Sequence, residues 1–286
     1  MLRAAGWWFA LLPLPVAQRV GAWVAVLGSV FMPARRTMVT RHAARLGIPA
    51  DRRRGAVRSV FAGYGRYWAE AFWVRPRRRR QIEETTVVTG LDRIRAAQAE
   101  GRGMIFALPH LGNWEFAGPI ADQLQMELVA VAENLDNRHI RDWFVRLRRS
   151  MGIGIVLATG QAQVMRELEA VLGRNGGVAL VCDRDIKGRG VEVEFFGERT
   201  TLPAGPVALA LRTGAALFPV GAYFDEGAGH HVVVRPALIL SRSEDRAEDL
   251  RRGAQQLARE LEELIRQAPE QWHLLQPNWP SDRLAV

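Results

Sequence analysis

A chain of 286 residues in which 48% are hydrophobic can bury a sizeable core, which excludes wholesale disorder and allows one large α/β domain or two small ones. A single cysteine, Cys182, excludes both an intramolecular disulfide and a zinc cluster. The net charge of +9 comes mainly from arginine, because Lys187 is the only lysine. A GC-rich genome produces such a composition by itself; where the excess is selected, it favours phosphate-bearing partners.

Residues 4–16 (AAGWWFALLPLPV) and 20–33 (VGAWVAVLGSVFMP) are apolar runs separated by Gln18-Arg19. Each falls short of the roughly 18 to 20 residues of a spanning helix, and Pro13 and Pro15 interrupt the first. No small-residue cleavage site follows it, so a signal peptide is not favoured. The expected arrangement is interfacial, with Trp7, Trp8 and Trp23 at headgroup depth and Arg35, Arg36 and Arg41 against lipid phosphates. Packing of both segments on the domain is the alternative.

Residues 51–73 carry Val57, Phe61, Tyr64, Trp68 and Phe72 at spacings of three and four, which predicts an amphipathic helix. Arg75-Pro76 and four further arginines, residues 77–80, follow. The run reads as a solvated face, a linker or a lipid-phosphate contact. Nucleic acid is not expected as a partner, because no stacking aromatics interleave with the arginines.

From residue 86 the pattern alternates. TTVVTG, GMIFALPH, ELVAVAEN, GIGIVLA and GGVALVCD read as strands, with helical segments between most of them. VEVEFFG, a helix over about 203–213, AALFPVGAYF, HHVVVRPAL and a last helix over about 244–267 complete the chain. Such alternation predicts an α/β fold, a central mostly parallel, mixed sheet with helices on both faces. The expected organisation is an N-terminal helical, membrane-associating segment, residues 1–80, and an α/β domain, residues 81–286.

Common signatures of phosphate-loop, dinucleotide, zinc-protease and serine-hydrolase chemistry are absent. Cys182 ends an apolar run, where a buried, inert thiol is the expected outcome. No metal site is expected.

His110 and Glu115 remain, in LPHLGNWEFAG. Five residues on a regular helix turn a side chain by about 140°, so the two meet only with His110 in a loop and Glu115 in the first helical turn. Gly112 permits the sharp turn and Asn113 is a suitable N-cap. Glu115 would then orient one imidazole nitrogen and leave the other as a base. On spacing alone, strand-end and helix-start roles explain the pair equally well.

Position adds weight. Ligands of open parallel sheets bind beyond the carboxyl ends of strands. His110 ends one apolar run, Glu133-Asn134 another, and Asp183-Arg184-Asp185 a third, so all three blocks reach one rim if those strands are parallel neighbours. Arg148 lies beside the stripe Ile140, Trp143, Phe144 and Leu147, suited to a cofactor phosphate or to solvent.

HLGNWE resembles the H-x-x-x-x-[DE] motif of glycerolipid acyltransferases in the form carried by the bacterial lipid A acyltransferase branch. CDRD and VEVEFFGERTTLPAGPVALALRTGAALFPV agree in order, and PEQWHLLQPNWPSDR is similar to the phosphatidylinositol mannoside acyltransferases. The resemblance implies transfer of a fatty acyl group, palmitoyl by expectation, from acyl-CoA to a mannose hydroxyl of a phosphatidylinositol mannoside. The setting implied is peripheral, at the cytoplasmic face of the cell membrane, on an anionic surface, with acyl-CoA as co-substrate and no other cofactor. His110 is implied as general base with Glu115 as its partner, in direct transfer without an acyl-enzyme. Asn113, Glu133, Arg148, Asp183, Arg184 and Asp185 are the implied substrate contacts. The alternatives are acylation of a lipid A precursor or a lysophospholipid, and a non-catalytic peripheral membrane-binding protein.

Overall fold

The computed structural model describes residues 8–132, 137–158, 160–186 and 188–283. Proline sets two N-terminal helices: Leu14–Gly28 (α1) and Pro33–Arg45 (α2) each carry one in the first turn, where its missing N–H leaves no bond unmade. Helix α1 runs unbroken through Gln18-Arg19 into a 3-10 turn, Ser29–Phe31. Leu14–Phe31 therefore forms one 18-residue stretch of mean hydropathy 1.4, long and apolar enough by those measures to cross a membrane. The Gln18-Arg19 pair that separates the two apolar runs does not break the helix: Gln18 turns inward and is buried, while Arg19 is exposed.

The predicted amphipathic helix is Arg53–Trp73 (α3). It crosses α1 at Gly21 and Gly65, where a Cβ on either residue would collide with the other's backbone carbonyl oxygen. Most arginines of the 75–80 run make local bonds. Arg75 donates to the carbonyls of Phe72 and Val74, while Arg78 lies 4.0 Å over the Trp73 ring and bonds the Trp73 and Ala10 carbonyls. Arg79 pairs with Asp122 and Arg80 with Glu84.

The remaining elements follow as Arg79–Glu84 (α4), Thr86–Thr89 (β1), Leu91–Glu100 (α5), Met104–Leu108 (β2), Gly118–Gln123 (α6), Leu128–Ala132 (β3), Arg138–Ser150 (α7), Ile153–Leu157 (β4), Gln161–Gly173 (α8) and Gly177–Val181 (β5). Val191–Phe195 (β6) and Glu198–Leu202 (β7) form an antiparallel hairpin. Gly205–Thr213 (α9), Ala216–Phe224 (β8), His230–Val234 (β9), Arg246–Gln267 (α10) and Pro280–Arg283 (α11) complete the described chain.

Among the described residues, seven strands form one sheet in the order β1-β9-β8-β2-β5-β3-β4. Only β8 and β9 pair antiparallel; the other neighbours are parallel. The fold is thus the mostly parallel α/β architecture expected from the alternation.

Side chains alternate across each strand, and this divides the core. Ile105, Ala107, Val129, Val178 and Leu217 face a layer built from α8, α9, α10 and the hairpin. Met104, Phe106, Leu108, Ala130, Ala179 and Phe218 face the other layer, which contains α1, the end of α3, and α4 to α7. Both layers exclude water from the sheet, so function is left to its rim.

Candidate active site

Strands β2 and β5 are parallel neighbours, with Leu108 opposite Val181. Two residues beyond each lie His110 and Asp183, and this register alone brings them together. Nδ1 of His110 lies 2.6 Å from Oδ1 of Asp183, while the His110 backbone N–H donates to Oδ2 at 3.0 Å. The carboxylate is fully buried, whereas the imidazole side chain is 45% exposed. With Nδ1–H donating to the carboxylate, Nε2 is the nitrogen left to act on a ligand.

Glu115 is not the partner of the imidazole, which corrects the expectation from the motif spacing. Its segment is a 3-10 turn, Trp114–Ala117, and Asn113 makes no side-chain cap. The tighter turn delivers Glu115 to α7, where Arg148 donates Nε–H to its Oε1 at 3.0 Å. The Tyr67 hydroxyl donates to the same oxygen at 3.3 Å. Arg148 also stacks near Trp114 and Phe144, 5.0 and 5.2 Å from the ring centroids. Among the described residues no hydrogen bond joins His110 to Glu115.

Gly112 is indispensable to the turn. Its φ is +54°, and a Cβ there would run into the Ala222 carbonyl. Asn113 is buried and donates instead to Glu70 Oε2 at 2.7 Å. Glu70, fully buried on α3, also accepts from Gln18 of α1 (2.7 Å), Arg66 (2.8 Å) and His230 of β9 (3.0 Å). Burial alone would raise the Glu70 carboxyl, but His230 and Arg66 overcome that and hold it at about 2. Asn113 therefore braces the turn against α3.

The other expected contacts separate. Arg184 is half-buried and close enough to His110 to disfavour its positive charge. Asp185 shapes its own loop, accepting from the Gly190 backbone at 2.6 Å and from Thr201 Oγ1 at 2.8 Å. Glu133 lies outside the described residues.

Electrostatics follow the geometry. Partial desolvation by the surrounding protein works against the imidazolium of His110, but the Asp183 charge and hydrogen bond outweigh it, so His110 titrates above the ordinary histidine value. For Asp183, burial pushes upward while His110 and the donors around the carboxylate pull it down, and the net shift is downward. The Tyr67 hydroxyl is driven up by burial and by Glu115. Burial and the Asp183 charge drive the Cys182 thiol far up, so it is no nucleophile.

A narrow apolar cleft with a cavity volume of about 60 Å³ opens beneath the turn. Leu108 and Trp114, which bracket His110 in sequence, line it together with Phe106, Ala121, Met126 and Val220. A buried carboxylate, an imidazole with one free nitrogen and an adjoining apolar slot suit deprotonation of a hydroxyl beside an alkyl chain.

The model of the family described as bacterial lipid A biosynthesis acyltransferase matches residues 1–281. A phosphatidylinositol mannoside acyltransferase of Mycolicibacterium smegmatis is 38% identical over 235 residues, 82% of this chain and 75% of that protein. One from Mycobacterium tuberculosis is 38% identical over 222 residues, 77% of this chain and 68% of that protein. With its family model matched almost end to end, this chain belongs to the bacterial lipid A biosynthesis acyltransferases.

Proposed function

We propose that this acyltransferase moves a palmitoyl group from acyl-CoA to a mannose hydroxyl of a phosphatidylinositol mannoside, on an anionic lipid surface at the cytoplasmic face of the membrane. The observation that carries the chemistry is the His110–Asp183 pair beside the apolar cleft. The choice of acceptor is supported by the relatives' names and by the identity shared with them.

Nε2 of His110 takes the proton of the mannose hydroxyl as its oxygen attacks the thioester carbonyl. The tetrahedral intermediate collapses, the C–S bond breaks, and the departing sulfur receives that proton from the imidazolium. Products are the ester and CoA, with the histidine restored. Asp183 keeps Nδ1 protonated and offsets the charge that His110 gains. Arg148, fixed by Glu115, and Arg184 border the ring and suit the phosphates of donor or acceptor. The acyl chain would occupy the cleft under Leu108 and Trp114.

The lipid surface would meet α1 and the turn after it. Trp23 is 66% and Phe31 87% exposed, and Val24, Leu27 and Val30 are also exposed on this side. Arg35 is exposed nearby in sequence.

The deciding experiment gives the purified protein palmitoyl-CoA with three acceptors side by side: mannosylated phosphatidylinositol, a lipid A precursor and lysophosphatidate. Ester product with the first alone supports this reading. Product only with another acceptor overturns the acceptor, and no release of CoA with any of them overturns the activity.

A further inference from the structure

The buried carboxylate of Asp183 has a second holder, which lies far along the chain. Nε1–H of Trp272 donates to Asp183 Oδ2 at 2.7 Å. The surrounding C-terminal segment is stitched to the turn that carries His110. The His273 N–H donates to the His110 carbonyl at 2.8 Å, the Gly112 N–H donates to the Gln271 carbonyl at 3.0 Å, and Leu111 and Trp272 form an antiparallel bridge. Asn278 Nδ2 reaches the Asp183 carbonyl at 2.9 Å. The indole itself is buried, with His42, Phe195 and Phe196 ring centroids 5.4, 6.3 and 5.8 Å away.

We propose that Trp272 is a positioning residue for acyl transfer: its indole N–H fixes the Asp183 carboxylate toward His110 and, by drawing off part of its charge, sets the basicity of the imidazole. This rests on the reading of His110 as the general base. The charged and titratable groups around that ring come from three further elements. Asp183 and Arg184 follow β5, Arg148 lies on α7, and His273 lies on the C-terminal segment. Asp183 favours the imidazolium and the two arginines oppose it. Burial, helped by His110, lowers His273 to about 3 and keeps it neutral. The indole donor therefore acts on the one group that favours protonation. Without it the carboxylate retains more charge, the imidazolium is better held, and the neutral base appears only at higher pH.

The test is the pH dependence of kcat/KM with palmitoyl-CoA and mannosylated phosphatidylinositol. It is measured for Trp272→Phe and for a protein whose indole at this position is replaced by benzothiophene, which keeps the shape and deletes the N–H. Both should move the acidic limb upward by about half to one pH unit, a roughly three- to tenfold loss at pH values below the limb. The rate should recover at higher pH and the acceptor KM should stay unchanged. A uniform loss at every pH with the limb unmoved, or no change at all, overturns the proposal. Asp183→Asn separates the two readings. If it abolishes turnover while the benzothiophene protein keeps its limb in place, only the Trp272 role fails; if it retains full turnover, the His110–Asp183 base fails with it.

Discussion

Nδ1 of His110 and Oδ1 of Asp183 lie 2.6 Å apart although 73 residues separate them in the chain, each two residues past the end of neighbouring parallel strands. The free Nε2 carries the proposed base chemistry, so His110→Ala should lower turnover by roughly 100- to 10,000-fold. Asp183→Asn should fall in the same range, because an amide at Oδ1 no longer enforces the tautomer with Nε2 free. Release of CoA from palmitoyl-CoA is the measurement. Either variant within threefold of the parent would count against the pair.

In the proposed mechanism neutral His110 is the active form, and Asp183 lifts its titration above the ordinary value of 6.5 against the opposing effect of desolvation. The sign follows directly: activity is lost as pH falls through that raised value, so the acidic limb of kcat/KM should lie above 6.5. Asp183 titrates below its ordinary range and stays ionised across this limb. A limb below 6.5 would contradict the geometry.

Glu115 and Arg148 form a largely buried ion pair, with side chains 3% and 15% exposed. Removing one partner strands the other charge, so Glu115→Ala should cost about 3 to 5 kcal/mol of stability. The double variant with Arg148→Ala should cost less than the sum of the two single changes. Denaturant unfolding of all four proteins measures the coupling. Additive losses would show that the pair is not a unit. In the same series Glu115→Gln should leave the acidic limb in place, since Glu115 makes no hydrogen bond to the imidazole.

Much of this architecture was legible locally. The stripe from Val57 to Phe72 announced α3, the apolar runs announced the parallel strands, and His110 and Asp183 stood out as polar residues at strand ends. What failed was the partner assignment, for a physical reason. Motif spacing reports neighbours in sequence, whereas the acid that reaches His110 depends on which strand lies beside β2, and that is fixed by the whole sheet. The 3-10 turn at Trp114–Ala117 then rotates Glu115 onto α7, a change that a preference for regular helix conceals. Trp272 carried no local signal, since an indole donor reads like any apolar core residue. The strand β7 was missed because ERTTL is polar on its outer face and lacks an apolar run.

The cleft under the turn that carries His110 sets an expectation about chain length. Ala121 is buried and lines it beside Phe106 and Met126. Ala121→Phe should fill part of the slot and shift donor preference from palmitoyl-CoA toward shorter chains, with the acidic limb unchanged. Competition between palmitoyl-CoA and octanoyl-CoA measures the shift. An unchanged ratio in a folded variant would place the acyl chain elsewhere.

The proposed membrane contact and the proposed catalysis meet through α1, and they are separable by experiment. The outward face of α1 carries Trp23, Val24 and Leu27, and the turn after it carries Val30 and Phe31. The inward face crosses α3 at Gly21 and Gly65 and sends Gln18 to Glu70, which braces Asn113 in the turn that carries His110. Replacing Trp23 and Phe31 with serine removes apolar area from the outward face alone. Sedimentation with anionic vesicles should then fall by tenfold or more, at roughly 25 cal/mol for each Å² of apolar surface withheld from lipid. Turnover of detergent-dispersed substrate should persist, because the inward contacts are untouched. Gln18→Leu makes the opposite change: vesicle binding should hold, while Glu70 loses a donor and turnover falls even in detergent. If vesicle binding survives the serine replacements, the lipid-facing surface is not the one α1 presents.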